Sequence, residues 1–405
     1  MGLLSSPFSK LTMPEIEIKN FLQVREALCN PMLRQSLYDE GDIIMKDVLL
    51  TLHGERHRKR RHVELDLFRR SVTNEYENEV FPGILDEMME EPLKNNEVDL
   101  VEFGYQTTMN LTADFAGIDR NRNNEDTRKL ISIVKKFSEC ATIAHSERAR
   151  EEIKKETQIA RDSFLKFLEP SWARRKKLIE DFLKGTIDEE ELPKDILTLL
   201  LKEKKELGMK DDEIEREVCF YLQAGSHSTA NTLVHAANEI LRWKSCPKNL
   251  AENPELLQKC VHESMRLHPA SPVAARKALA PTMISGKKYE EGTSIILDMA
   301  SANRDQSVFG TDADAFNPGR NVKNEKVQLY GLTFGAGMHL CAGRDLDGGI
   351  KMSNKKDDRN EQYGIVSRIL IELLKSGMRR HPSKTERKEQ GTKRDHWEYY
   401  PVALG

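Results

Sequence analysis

Long apolar runs are absent from this sequence. No stretch of about twenty apolar residues occurs, and the opening MGLLSSPFSK lacks the charged segment and apolar core of a secretory leader. Neither a membrane span nor export is expected. Paired cysteines are missing too. The six (Cys29, Cys140, Cys219, Cys246, Cys260 and Cys341) are dispersed, with no CxxC and no zinc-like spacing, which points to a reducing, cytoplasmic setting. There is no charge excess of either sign. The net charge is -3 with 32% charged residues, a balance that suggests neither a nucleic-acid binder nor an acidic tail. Pro/Gly/Ser-rich connectors, internal repeats and shifts in composition are lacking as well. Residues 1–405 are therefore expected to form one large domain, although the length permits two or three. Gly2 and Ser6 match the loose myristoylation pattern, a match that chance accounts for.

What the sequence does have is concentrated between Phe334 and Gly343, in FGAGMHLCAG. Gly335, Gly337 and Gly343 bracket Cys341, and glycine lets a backbone take positive φ or press against a flat ligand. The result is a tight loop presenting one thiolate. Backbone N–H groups and a following helix start would stabilise its negative charge. Such a sulfur suits haem iron, for which cysteine is a known axial ligand; an ordinary glycine-rich turn around a buried cysteine is the plainer alternative.

Other segments carry weaker signals. Residues 14–53 hold helical patches in which Phe21, Val24 and Leu28 recur at helix spacing. LHGERHRKRRHVELDLF gathers His57, Arg58, Lys59, Arg60 and Arg61. A basic run usually marks a solvated face or a nucleic-acid patch, but His57 and Arg61 are four apart, so on a helix they share a face and can grip one anion. Residues 98–119 are mostly apolar and read as packing rather than chemistry, and residues 126–183 read as two charged surface helices. Between Val218 and Asn238 there is no Lys, Arg, Asp or Glu. Gln223, Ser226, His227, Ser228, Thr229, Asn231 and Thr232 make that stretch too polar for a membrane, so Asp211 to Trp243 is expected to be a long helix buried inside protein. Asn253 and Pro254 open another helix and Pro269 closes it; on it Glu263 and Arg266 face the same way. Pro272 to Asp305 reads as short strands with turns at Ser285-Gly286 and Glu291-Gly292.

Phe, Gly at +1 and +3, Cys at +7 and Gly at +9, with His339 two residues before the cysteine, resembles the haem-ligand loop of the cytochrome P450 family. Further matches follow in the family's order: His57 and Arg61 for the H-x-x-x-R helix that holds a haem propionate in bacterial-type members, Ala224-Gly225 on the helix that crosses the haem, Glu263 and Arg266 for the E-x-x-R motif with Arg320 joining from FNPGR, and Arg276 for an arginine that commonly meets the second propionate. The resemblance implies a mainly α (α+β) fold, helical with a small β-rich lobe, and haem b between the long buried helix and the cysteine loop. It makes Cys341 the metal ligand, its thiolate pushing electron density toward iron and favouring O–O cleavage. It places Phe334, Gly335, Gly337, Gly343 and Ala224 against the haem and His57, Arg61, Arg276 and His339 on the propionates. It also implies a monooxygenase acting on a small organic molecule, with electrons from a separate ferredoxin or flavin reductase and the hard chemistry residing in the cofactor.

The chain departs from the family in two places. The family's distal pattern is A-G-x-acid-Thr-Thr on a helix locally opened beside the oxygen site, where acid and alcohol relay protons. Here Gly225 is followed by His227 at the acid position and Ser228 at the first Thr, and Thr229 matches the next. With an unperturbed pKa of about 6.5, His227 could replace the relay together with Ser228. Equally, His227 is a hydrogen-bonded core histidine and Ser228 back-bonds to the helix. The second departure follows Cys341, where the family runs directly into a helix. Here RDLDGGIKMSNKKDDRNEQYG places a double glycine and a charged insertion, about 345–364, before IVSRILIELLKSGM. The N-terminal region is expected to be short, with a strand and a helix of the family's entrance region shortened or missing. Other functions remain open: peroxide-driven oxidation, radical coupling, rearrangement or nitration; a haem sensor or carrier without turnover; and a basic-helix nucleic-acid binder with strongly salt-dependent affinity.

Overall fold

The computed structural model describes residues 16–122, 124–244, 246–324, 326–350 and 361–405. Gly2, Ser6 and positions 351–360 of the insertion lie outside the described residues. The fold is mainly helical, with four small sheets among the described residues.

The helical part packs around helix Asp211–Arg242. Because its central residues carry no charge, it can be enclosed by protein, and it runs against helices Leu100–Ala116, Asn124–Ala141, Pro254–Leu267 and Ile365–Lys375. Its first half sends Ile214, Val218 and Leu222 into one apolar core with Phe137, Phe164 and Leu197. Its second half sends Leu233, Ala237 and Ile240 into another with Phe81, Leu257 and Ile369. Each such burial stabilises by about 1.5–3 kcal/mol, so the helix is anchored at both flanks while its middle faces a cavity. No helix among the described residues is long and apolar enough to cross a membrane.

The β-rich part is built as its turns predict. Ser285 and Gly286 both take positive φ (46° and 79°), the pairing that a two-residue type I′ hairpin requires, and they join strands Thr282–Ile284 and Lys287–Tyr289. The main sheet orders Ile16–Ile18, Ser294–Asp298, Val273–Ala278 and Leu33–Gln35, the first pair parallel and the others antiparallel. Strand alternation buries Ala274, Arg276 and Ala278 on one face, which turns Arg276 inward. Two of these strands come from residues 14–53, where the sequence shows only helix spacing; three-residue strands are too short to register a period of two. Helix Phe21–Cys29 lies between them and buries Phe21, Val24 and Leu28 as their spacing predicts.

Residues 126–183 do form two helices, Asn124–Ala141 and Arg150–Leu183, but they are not merely surface. Phe137 and Phe164 are fully buried and meet edge to face with ring centroids 5.8 Å apart. After the cysteine loop a single helical turn, Arg344–Asp347, ends at Gly348, and the helix resumes at Ile365–Lys375.

Candidate functional site

Where the middle of the long helix faces the cysteine loop, a cavity of about 360 Å³ opens. The sequence signals converge on it. Ala224, Gly225, His227, Ser228 and Thr229 form one wall, and Phe334, Gly335, His339, Cys341 and Gly343 another, with Arg61 and Arg276 at the edge. Gly225 also marks a helix crossing, since a Cβ there would sit 2.9 Å from the Thr112 methyl. Two expected residues do not line the cavity. Gly337 (φ 69°) instead passes against helix Phe21–Cys29, where a Cβ would lie 2.7 Å from the Leu28 carbonyl, so it serves backbone approach rather than ligand contact. His57 stands behind His339, its ring 4.7 Å away.

The loop is closed by backbone bonds. Cys341 N–H donates to the Phe334 carbonyl (2.9 Å) and Gly335 N–H to Leu332 (2.8 Å), with Gly335 at φ 72°. Cys341 is exposed to the cavity yet lies deep in the protein. Burial, followed by the Asp347 charge, pushes its thiol up to about 11, against the Gly343 N–H, Arg344 and Arg61, which act the other way. The N–H groups expected to favour a thiolate are therefore outweighed; a metal cation on the sulfur would reverse that balance.

Beside the loop, donors gather without an acid to meet them. Arg61 donates to the Leu340 carbonyl (2.6 Å) and Arg276 to Gln35 Oε1 (2.8 Å) and the Ala275 carbonyl (3.0 Å). No carboxylate among the described residues forms an ion pair with either. His57 Nε2 and His339 Nε2 are buried without a hydrogen-bond partner. Burial holds His57 down to about 4, with Arg61 and His53 adding to it, and His339 down to about 3, with His57, Arg276 and Arg61 adding. Burial also lowers Arg276 to about 10. Such a group is completed by carboxylates, and the two propionates of haem b fit it. The basic cluster divides by helix face: Arg60 is buried against Glu217 (2.7 Å), and Arg58 is exposed and pairs with Glu55 (2.8 Å).

The long-helix wall departs from the expected opening. The helix is continuous through this region, and its carbonyls are taken up by side chains: Ser226 Oγ donates to Leu222 (2.7 Å), Ser228 Oγ to Ala224 (2.6 Å), Asn231 Nδ2 to His227 (2.8 Å) and Thr108 Oγ1 to Ser226 (3.1 Å). Ser228 is thus back-bonded. Both nitrogens of His227 face partners, Nδ1 the Tyr105 hydroxyl at 2.6 Å and Nε2 the Arg394 guanidinium at 3.5 Å. Burial first, then His396, Arg394 and Lys135, holds His227 well below the usual histidine range, so it is neutral at neutral pH.

Three groups escape the sequence reading: Asp347 and Arg394, which line the cavity, and Tyr105, which does not line it but meets His227. Tyr105 lies in the segment read as packing, where the polar run Thr107, Thr108 and Thr112 is the only hint; Thr108, Thr112 and Phe115 line the cavity. Asp347 brings a carboxyl whose pKa burial raises to about 6, against a hydrogen bond from Thr229. Arg394 sits in a charged C-terminal stretch without periodicity.

The family model for cytochrome P450 matches residues 17–346, from the first strand through the cysteine loop. Cytochrome P450(MEG) of Priestia megaterium is 24% identical over 337 residues, covering 82% of this chain and 74% of that protein. A steroid C26-monooxygenase of Mycolicibacterium smegmatis is 34% identical over 140 residues, 34% of this chain and 33% of that protein. The solved structure of CYP109E1 from Bacillus megaterium in complex with testosterone aligns over 96% of this chain and 93% of that one, with a TM-score of 0.71 and 20% identity. That of CalO2 aligns over 96% and 90%, with a TM-score of 0.75 and 19% identity. At such identities the structural likeness speaks for the fold, and the family model, spanning most of the sequence and both walls of the cavity, speaks for descent: the chain belongs to the cytochrome P450 family.

Proposed function

We propose that this protein oxidises a small, largely apolar organic molecule with dioxygen, using haem b ligated by Cys341 and electrons from a separate ferredoxin or flavin reductase. As a cytochrome P450 it is a haem-thiolate oxidoreductase, and members of the family bind haem b through a cysteine thiolate. The observation that carries the assignment of residues is the cavity in which Cys341 faces the long helix while Arg61, Arg276 and His339 line it and His57 stands behind His339, with no carboxylate among the described residues paired to any of the four. When bound, haem supplies the activation of dioxygen. The chain's own part is to hold and to enclose. Cys341 gives the sulfur; Arg61, Arg276, His339 and, behind it, His57 take the propionates; Ala224 and Gly225 keep the distal wall low. Phe68, Leu111, Phe115 and Phe220 line the remaining space and exclude water from it. We read residues 1–405 as one haem-thiolate domain, because helix Ile365–Lys375, beyond the matched span, shares a core with residues 233–240. Six free cysteines support a cytoplasmic setting.

The test is a carbon monoxide difference spectrum of the reduced protein, in which a thiolate-type Soret band is expected from the wild type and lost in Cys341→Ala. A variant that keeps the band refutes the assignment.

A second reading has an observation of its own. Ser228 spends its proton on the Ala224 carbonyl and His227 is held neutral, so the ordinary acid–alcohol delivery has no evident carrier. Peroxide-driven oxidation, radical coupling, rearrangement or nitration would need that delivery less. Product from NADPH and a surrogate reductase, with little from peroxide, is expected on the first reading; product from peroxide alone favours the second.

A further inference from the structure

We propose that the molecule taken into this cavity carries a carboxylate, and that Arg394 binds it. The inference deepens the functional reading above and rests on the cavity being the substrate chamber.

Arg394 comes from the connection between strands Arg387–Lys388 and Trp397–Tyr399. It stands between the main cavity and a second chamber of about 220 Å³, lining both. Its Nε is buried with no hydrogen-bond partner. One Nη faces His227 Nε2 at 3.5 Å, too long for a strong bond, and no carboxylate among the described residues forms an ion pair with it. The acids in its own hairpin are engaged elsewhere. Asp395 meets Lys388 at 2.5 Å and His268 at 3.6 Å, and Glu389 meets His396 at 3.5 Å. His227 is neutral, so it offers a lone pair and no charge.

A guanidinium taken out of water without an anion is costly. Arginine does not escape the cost by losing its proton at physiological pH. A site that keeps such a group facing a ligand chamber is completed when the ligand brings the anion. The planar fork of a guanidinium matches a carboxylate through two parallel N–H···O bonds. Elsewhere the main cavity is lined by Leu50, Phe68, Leu111, Phe115 and Phe220, which suits a hydrocarbon or aromatic body behind that head group. Arg394 is separate from the propionate donors: it meets His227 on the long helix, whereas Arg61 bonds Leu340 and His57 packs on His339 at the cysteine loop.

The experiment compares acids with their neutral amides, decanoic acid with decanamide and cinnamic acid with cinnamamide. Binding to the haem-loaded protein is measured by calorimetry and by the Soret shift. The wild type is expected to bind at least one acid about tenfold or more tightly than its amide, the scale of a hydrogen bond to a charged group. Arg394→Gln is expected to erase that gap and leave amide affinity in place, and Arg394→Lys, which keeps charge but not the fork, to retain part of it. No preference for either acid in the wild type overturns the proposal, as does a gap that survives in Arg394→Gln. The carbon monoxide spectrum of the same preparation separates the two levels. A thiolate band without acid preference sinks this inference alone, and the absence of that band sinks the haem-thiolate reading, while calorimetry still reports whether Arg394 selects acids.

Discussion

Glu263→Ala is expected to cost about 3–5 kcal/mol of stability, the scale of breaking a buried ion pair from one side, and to lower the haem retained per protein. Glu263 and Arg266 are fully buried, and the pair is bidentate at 2.7 and 2.8 Å. Arg320 Nε donates to the same carboxylate at 3.0 Å and Asn317 N–H at 3.1 Å. Without Glu263, Arg320 keeps Asp312 (2.6 Å), but Arg266 is left as a buried charge with no anion, facing the carbonyls of Asn303, Ala313 and Ala315 and the Phe309 ring. The damage travels to the cysteine loop by a short route. Asn303 accepts from Leu332 N–H at 2.7 Å and bonds Thr333, whose hydroxyl donates to the Met265 carbonyl at 2.7 Å; Phe334 comes next. Glu263→Gln keeps the shape and one acceptor, so a smaller loss is expected. Urea midpoints and the haem-to-protein ratio measure both effects. An alanine variant within about 1 kcal/mol of wild type would contradict a buried role for the pair.

That network shows which parts of the molecule are legible in sequence. Glu263 and Arg266 are three apart on a capped helix, His57 and Arg61 four apart on another, and the glycines around Cys341 follow one another along the chain. Each is a local spacing that a period of 3.6 or a turn preference converts into geometry. The long helix is legible for the same reason, since a charge-free middle between charged ends has only one place to go. What is not legible depends on partners far apart in the chain. Tyr105 and His227 are 122 residues apart, and His227 and Arg394 are 167 apart, so neither contact leaves a local trace. The identity of His227 also carries two opposite meanings, proton carrier or packed histidine, and only its surroundings distinguish them. Gly337 resembles a haem-contact glycine in sequence and proves to be a clearance for a neighbouring helix, because glycine records that space was needed and not what fills it.

Gly364→Ala is expected to lose about 2–6 kcal/mol, and the reason lies in how the helix after Cys341 is divided. The turn Arg344–Asp347 ends at Gly348, and the chain returns at Gln362, whose carbonyl accepts from Ile350 N–H at 2.9 Å. At this neck Gly349 (φ 76°) and Gly364 (φ 87°) cross backbone to backbone. A Cβ on Gly364 would lie 2.5 Å from the Asp347 carbonyl and from Gly348 C, and one on Gly349 would lie 2.5 Å from the Gln362 carbonyl. The atoms nearest Gly364 are all backbone and cannot swing away, whereas Gly349 also meets the Gln258 side-chain amide. The crossing is braced further. Glu77, fully buried, accepts from Tyr363 N–H (2.8 Å), Gly364 N–H (3.1 Å) and Arg368 Nε (3.1 Å), and His262 Nε2 meets the Gly348 carbonyl at 2.7 Å. An alanine therefore adds two costs, about 1–3 kcal/mol for a Cβ on a backbone of positive φ, here φ 87° and ψ 153°, a region kept almost wholly for glycine, and about 1–3 kcal/mol for overpacking. Gly391 separates them, since it has φ 77° but open space where a Cβ would stand, so Gly391→Ala is expected to lose only the first. Because the neck seats Asp347, six residues after Cys341, Gly364→Ala is also expected to reduce retained haem while Gly391→Ala leaves it unchanged. Equal losses of stability and haem in the two variants would show that backbone conformation alone is at stake and that the crossing does not hold the cysteine side of the site.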